Sequence, residues 1–358
     1  MKNCKYFLII YLIILGFLII ISSFPMGNSK TLNVSLTGES NYSSIQKAIN
    51  ASNPGDMILI NKGIYKENIF INRTIILIGN NSNDSIIVGN NQNSVIVVFA
   101  DNVVISNLTI ENRKQGSNCN GISIQGNNCI IRNNIVINNS WSGINTEGPC
   151  INCTFENNTL KNNGYGFFFD KLSSNINFIF NNIIDNNFDG IYLDDTNISI
   201  IKNNIIKNCG DDGIGLSNTN DIIIKNNLIE NSSENGIYMY SKKTKIFNNY
   251  LLSSKDTGIF LRNSYDSNIY SNYLSNNKNG IKLTYKSSEN NIYDNNFNEN
   301  TNGIYISSDS GNNEFSNNVF SDNNKDIFKE ENKSPGFEII LFFILLVFIF
   351  LLIKIKKC

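Results

Sequence analysis

Histidine is absent from all 358 residues. That absence removes the imidazole on which Ser-His-Asp and Cys-His catalysis depend, and with it imidazole-bound zinc or copper. Carboxylates, Lys, Arg, Tyr and Cys are what remain for chemistry. Charge is sparse too: 16% of residues are charged and the formal net charge is −1. No basic face can neutralise a run of phosphates, so nucleic acid is not expected as a partner. Only four prolines and one tryptophan occur, and leucine is too scarce for a leucine-rich repeat. Asn, Ile, Ser and Gly dominate instead. Asn-rich tracts are often disordered, but here Ile recurs at fixed intervals with polar residues between, the pattern of a packed β core.

A Gly-apolar step recurs at Gly121, Gly143, Gly166, Gly190, Gly213, Gly236, Gly258, Gly280 and Gly303, always 22 to 24 residues apart. An Asn column runs in step with it: Asn134, Asn158, Asn182, Asn204, Asn227, Asn249, Asn272, Asn295 and Asn318. A period near 23 with short apolar segments predicts an all-β fold, a right-handed single-stranded parallel β-helix. Each sequence column then becomes a ladder of like residues at about 4.8 Å spacing. The Asn column reads as an amide ladder, and the Gly column as a tight turn using positive φ. One and three residues after each Gly stand inward columns, including Ile191, Ile214 and Ile237 in the first. Residues two and four after the Gly are expected to face solvent.

The predicted organisation is a signal peptide or signal anchor (1–29), an N-terminal cap (30–55), about 12 coils (56–328), a linker (329–336) and a C-terminal transmembrane or sorting segment (337–358). Lys2 and Lys5 precede an apolar run from Phe7 to Ile21, then small and polar residues, as in a secretory signal. Asn41 to Ile49 reads as a short amphipathic capping helix. Strands are expected at Met57–Ile60, Ile69–Ile71, Ile75–Ile78, Ile86–Val88 and Val95–Phe99. At the far end the apolar run from Ile339 to Ile353 covers about 22 Å of a ~30 Å hydrocarbon layer as a helix. Lys354, Lys356 and Lys357 follow it and should stay cytoplasmic. The body is thereby expected outside the cell, on the surface, held to the membrane or a lipid at its C-terminus.

The tripartite end, Pro335-Gly336-Phe337 then apolar helix then basic tip, resembles the PGF-CTERM sorting signal of archaeal surface proteins. That resemblance implies removal of the helix by an archaeosortase-like enzyme. Tyr42-x-x-Ile45-x-x-Ala48-Ile49, Gly55-Asp56-x-Ile58, Gly63-x-Tyr65-x-Glu67-Asn68 and Ile76-x-Ile78-Gly79 resemble the opening of NosD-type β-helix proteins. The later coils resemble the β-helix repeats of the carbohydrate-binding and sugar-hydrolase group. Such repeats specify fold strongly and function weakly.

Candidate sites follow from the outward columns. Four residues after Gly, Glu147, Asp170 and Asp194 stack on successive coils, offering oxygen ligands that suit Ca2+, although no cofactor is required. Two residues after Gly stand Phe168, Tyr192, Tyr238 and Phe260, aromatic surface suited to sugars. The expected function is binding of glycans or envelope polymers, as an adhesin or envelope component. Gly210-Asp211-Asp212-Gly213 resembles the paired aspartates of polygalacturonase-type hydrolases, which implies a carbohydrate-active enzyme with Asp189, Asp194, Asp211 and Asp212 as its acids. The other elements of that family have no counterpart here. The NosD resemblance implies a copper-related role, for which Cys150 and Cys153 have soft-metal spacing, against the plainer reading of core thiols.

Overall fold

The computed structural model describes residues 29–331 apart from 39, 113–118 and 171–172, so the signal and C-terminal segments lie outside the described residues. Among those described, no helix is long and apolar enough to cross a membrane. The chain forms a parallel β-solenoid with three strands per coil. Sheet A has 13 strands from Thr31–Val34 to Glu314–Ser316, sheet B has 12 from Gly63–Lys66 to Val319–Ser321, and sheet C has 12 from Ile69–Ile71 to Lys325–Lys329. The expected inward stack is present: Ile191 pairs with Ile214 and Ile214 with Ile237, all three fully buried.

Sheets A and B are joined by two-residue turns except at 80–84, and these turns explain the Asn-Asn doublets. In Asn133-Asn134 the first residue takes φ 58°, a left-handed conformation that Asn tolerates better than most residues. The second turns its side chain inward. Asn134 N and Nδ2 both donate to Asn158 Oδ1, at 3.1 and 3.2 Å, and the pattern repeats to Asn318. The third ladder member is Asn181 rather than Asn182, because Asn182 already begins a strand paired with Thr159. A second ladder at the next corner uses Asn139, Asn163 and Asn186, and later Asn277, Asn300 and Asn323. Substituting Asn227 by Ala removes the acceptor of two bonds from Asn204 and the donor of bonds to Ile201 O and Asn249 Oδ1. The expected cost is about 3 kcal/mol, read from the urea midpoint; less than about 1 kcal/mol would make the ladder incidental.

The Gly column has a different cause from the one expected. None of its members has positive φ; among the described residues Gly38 and Gly55 are the glycines that do. Coils instead approach too closely for a side chain: a Cβ on Gly166 would lie 2.3 Å from Gly190 O, and one on Gly213 2.6 Å from Gly236 O. The outward columns also contain exceptions. Thr284 and Ser307 are buried at corners closed by Ser287 and Ser310, and Ser123 and Asn145 are buried too, Asn145 as the register partner of Phe168.

The cap is a strand followed by helix α1, Ile45–Ala51, which buries Ile45, Ala48 and Ile49 over the end of the core. Ser44 caps it, accepting from Lys47 N, and the Glu67 carboxylate accepts from Ile45 N, Gln46 N and the Ser44 hydroxyl. An open coil end is thus covered rather than left to pair with another chain.

Candidate functional site

The residue immediately before each column glycine opens a sheet C strand or lies two residues ahead of one, as Asn120, Asp189 and Asp212 do. Along the rod it reads Asn120, Ser142, Tyr165, Asp189, Asp212, Asn235, Thr257, Asn279 and Asn302. Asp189 and Asp212 are the two carboxyls in this column. These two carboxyls are 5% and 8% exposed. Asp212 N donates to Asp189 Oδ1 at 3.1 Å, while Asn235 N and Nδ2 donate to Asp212 Oδ1 at 2.9 and 2.8 Å. Burial, then the charge of Asp212, pushes Asp189 up to about 8; burial likewise pushes Asp212 up to about 7, against the Asn235 amide. The pair therefore retains a proton near neutrality. Asp211 completes the group: among the described residues, Asp189, Asp211 and Asp212 are the one set of three such side chains with ligand atoms all within 4.8 Å of one another.

Asp189 Oδ2 accepts no hydrogen bond among the described residues and points toward Gly215. A Cβ there would lie 2.4 Å from Asp189 Oδ2 and 2.9 Å from Tyr192 Cδ2. Gly215 is the single glycine in the column two residues after the repeat Gly, between Tyr192 and Tyr238. The missing side chain leaves a notch in the row of outward side chains that the Asp189 carboxyl and the Tyr192 ring fill, so that Gly215 itself is buried.

On the N-terminal side of the notch lies an aromatic cluster. Phe168 stacks on Tyr192 with centroids 5.4 Å apart, and Tyr165 meets Phe168 at 4.9 Å, Phe188 at 5.0 Å and Tyr192 at 6.0 Å. Trp141 closes the patch at 5.6 Å from Tyr165. Burial and the Asp189 charge push the Tyr165 phenol up to about 12. On the other side Tyr238 meets Phe260 edge-on at 5.6 Å, and Lys282 Nζ sits 4.9 Å from the Phe260 ring while bonded to Asp256. Stacking along the rod hides ring faces between neighbours, so the interruption at Gly215 matters more than the aromatics themselves.

Of the residues singled out from sequence, Asp189, Asp211 and Asp212 come together, as do Phe168 with Tyr192 and Tyr238 with Phe260. Glu147, Asp170 and Asp194 lie along the far edge of sheet C, where Glu147 accepts from Gln125 Nε2 at 3.3 Å, and do not form such a three-ligand set. Sequence reasoning passed over Gly215, Trp141 and Tyr165; the break in the column at Gly215 was the available signal. Cys129, Cys150, Cys153 and Cys209 are buried free thiols.

The family model described as "Periplasmic copper-binding protein (NosD)" matches residues 32–217, over half of the chain. A second, described as "Right handed beta helix region", matches residues 172–320. No curated protein sequence matches. Solved structures that resemble the fold include the A-module of mannuronan C-5 epimerase AlgE4 from Azotobacter vinelandii, at 15% identity and TM-score 0.69, covering 82% of this chain and 93% of that one. The Dettilon tailspike protein follows at 13% and 0.66, covering 81% and 68%. DFA-IIIase from Arthrobacter chlorophenolicus, without its lid, stands at 11% and 0.66, covering 82% and 99%.

The matched family's description implies copper, and the described donor set does not fit it. Cys129 Sγ donates to Ala100 O and Asn127 O, and Cys153 Sγ to Gly126 O and Ile151 O, so both act as neutral donors inside the core. The hydrogen bond with Cys153, then burial, holds the Cys129 thiol far above the usual range. No three thiols fall within 4.8 Å of one another among the described residues.

Proposed function

The chain belongs to the NosD family of right-handed β-helix proteins, and from this we infer an exported protein and propose that it binds saccharides on the outer face of sheet C. One observation carries the proposal. On two successive coils, acids occupy a column otherwise filled by Asn, Ser, Thr and Tyr, and the glycine at 215 gives the Asp189 carboxyl the space that a side chain would take. Buried acids cost stability unless paired, and Asn would fit the same column without that cost. Their retention beside an aromatic patch suits a ligand that offers hydroxyls to Asp189 Oδ2 and an apolar ring face to Tyr192.

Glycan-array retention of the purified protein, followed by calorimetry on the best ligand, tests this. Tyr192→Ala is expected to weaken binding at least tenfold with little change in melting, because Tyr192 is half-exposed. Retention of no glycan by the unmodified protein, or undiminished binding by Tyr192→Ala, sinks the proposal. A second reading, acid–base chemistry on the bound sugar, is favoured by Asp189 alone: it holds a proton near neutrality, and its Oδ2 accepts no hydrogen bond among the described residues. Product formation from the retained glycan separates the two.

A further inference from the structure

Beyond Tyr238 the same face holds a cavity of about 500 Å³ bounded by Tyr238, Tyr240, Arg262, Tyr285, Lys286 and Asp309. The Arg262 guanidinium lies 4.5 Å from the Tyr285 ring centroid, and its Nη1 donates to Tyr238 Oη at 3.5 Å. Among the described residues Arg262 makes no ion pair. Asp309 stands in the same cavity as an anion but makes no ion pair with Arg262: its carboxylate accepts from the Ser307 and Ser310 hydroxyls, and the Ser307 bond first, then the others, hold it below the usual range. With Lys286 the cavity keeps a net positive charge.

Its rim is strained. Tyr285 and Lys286 have φ 54° and 64°, the one place among the described residues where two successive non-glycine residues are left-handed. Such strain persists where the surroundings enforce it, often at ligand sites. It fixes Tyr285 beneath Arg262 and leaves Lys286 at the mouth. Tyr238 belongs both to this cavity and to the wall of the Gly215 notch, and three coils separate Asp189 from Arg262, about 14 Å along the axis.

We propose that this cavity is a subsite for an anionic substituent, carboxylate or sulfate, of the saccharide that lies along sheet C, with Arg262 and Lys286 as its charge partners. The inference rests on the saccharide reading for its sugar part and on the cavity alone for its charge. A protonated Asp189 further along the face would not repel such a polymer.

Calorimetry with trigalacturonate, a sulfated trisaccharide and neutral maltotriose tests it. The unmodified protein should hold at least one acidic trisaccharide ten times more tightly than maltotriose, and salt should weaken that preference. Whichever acidic probe prevails distinguishes carboxylate from sulfate. Arg262→Gln should abolish the preference while leaving maltotriose binding unchanged. Retention of all three alike overturns the anion subsite and leaves the saccharide reading standing. Retention of free galacturonate and sulfate ions through Arg262, without any trisaccharide, keeps the charged cavity and overturns the saccharide reading. No binding of any probe overturns both.

Discussion

Ile214→Asp is expected to abolish cooperative melting of the coils around it, at a cost of roughly 5 kcal/mol or more. Ile214 is fully buried in the first inward column of sheet C, between Ile191 and Ile237. A carboxylate there meets only hydrocarbon, so it either loses its hydration or forces its strand out of the stack. In a solenoid each coil rests on its neighbours alone, and the damage separates the rod into two weakly coupled halves. The control is Ile205→Asp, just before that coil on sheet B, where the side chain is 40% exposed. That change should stay within about 1 kcal/mol. Thermal melts by circular dichroism compare the two, and equal effects would contradict the assignment of inside and outside.

The second large effect is a dependence on pH. The folded-state values of Asp189 and Asp212 lie near 8 and 7, both pushed up chiefly by burial, against about 4 in an unfolded chain. Below about pH 4 folded and unfolded states both carry the protons and the pair costs nothing through ionisation. Between roughly pH 4 and 8 the unfolded state releases them while the folded state retains them, so stability falls as pH rises. Above about pH 8 the penalty is complete, on the order of a few kcal/mol for the pair. The Asp189→Asn, Asp212→Asn double variant should melt higher at pH 8 and lose most of the slope between pH 5 and 9, because Asn already fills this column at Asn120, Asn235, Asn279 and Asn302. It should also lose the ligand. Parallel melting curves for the two proteins across that range would show that the pair does not titrate as described.

Much of the fold was legible because one coil repeats the last. Glycines 22 to 24 residues apart and Ile columns in phase with them identify the solenoid without any contact being known. The count of sheets was not legible: strands of three residues, separated by two-residue turns, are too short for alternation to register. Thr31–Val34 and Gly63–Lys66, of four residues each, were missed as well. The amide column was displaced by one residue at Asn181, since four asparagines fall within residues 175–182 and only inter-coil hydrogen bonding separates them. Asp211 and Asp212 announced themselves as a doublet. What makes that doublet a site, the glycine at 215 that makes room for the Asp189 carboxyl, depends on comparing one position across coils, because a lone glycine in a strand carries no message by itself. Arg262 and Lys286 are 24 residues apart and meet only through stacking.

The inner amide column has a further consequence. Each Asn receives at Oδ1 two donors from the coil before it and offers its own N and Nδ2 to the coil after it. Every coil thus hands on an edge of the same kind as the one it met. A duplication of one whole unit would lengthen the rod without creating any junction that does not already exist, whereas a duplication a few residues short would set Ile where Asn must stand. Reach is therefore the trait this architecture can change most readily in descent, stepwise and in whole coils, while its cross-section stays constant.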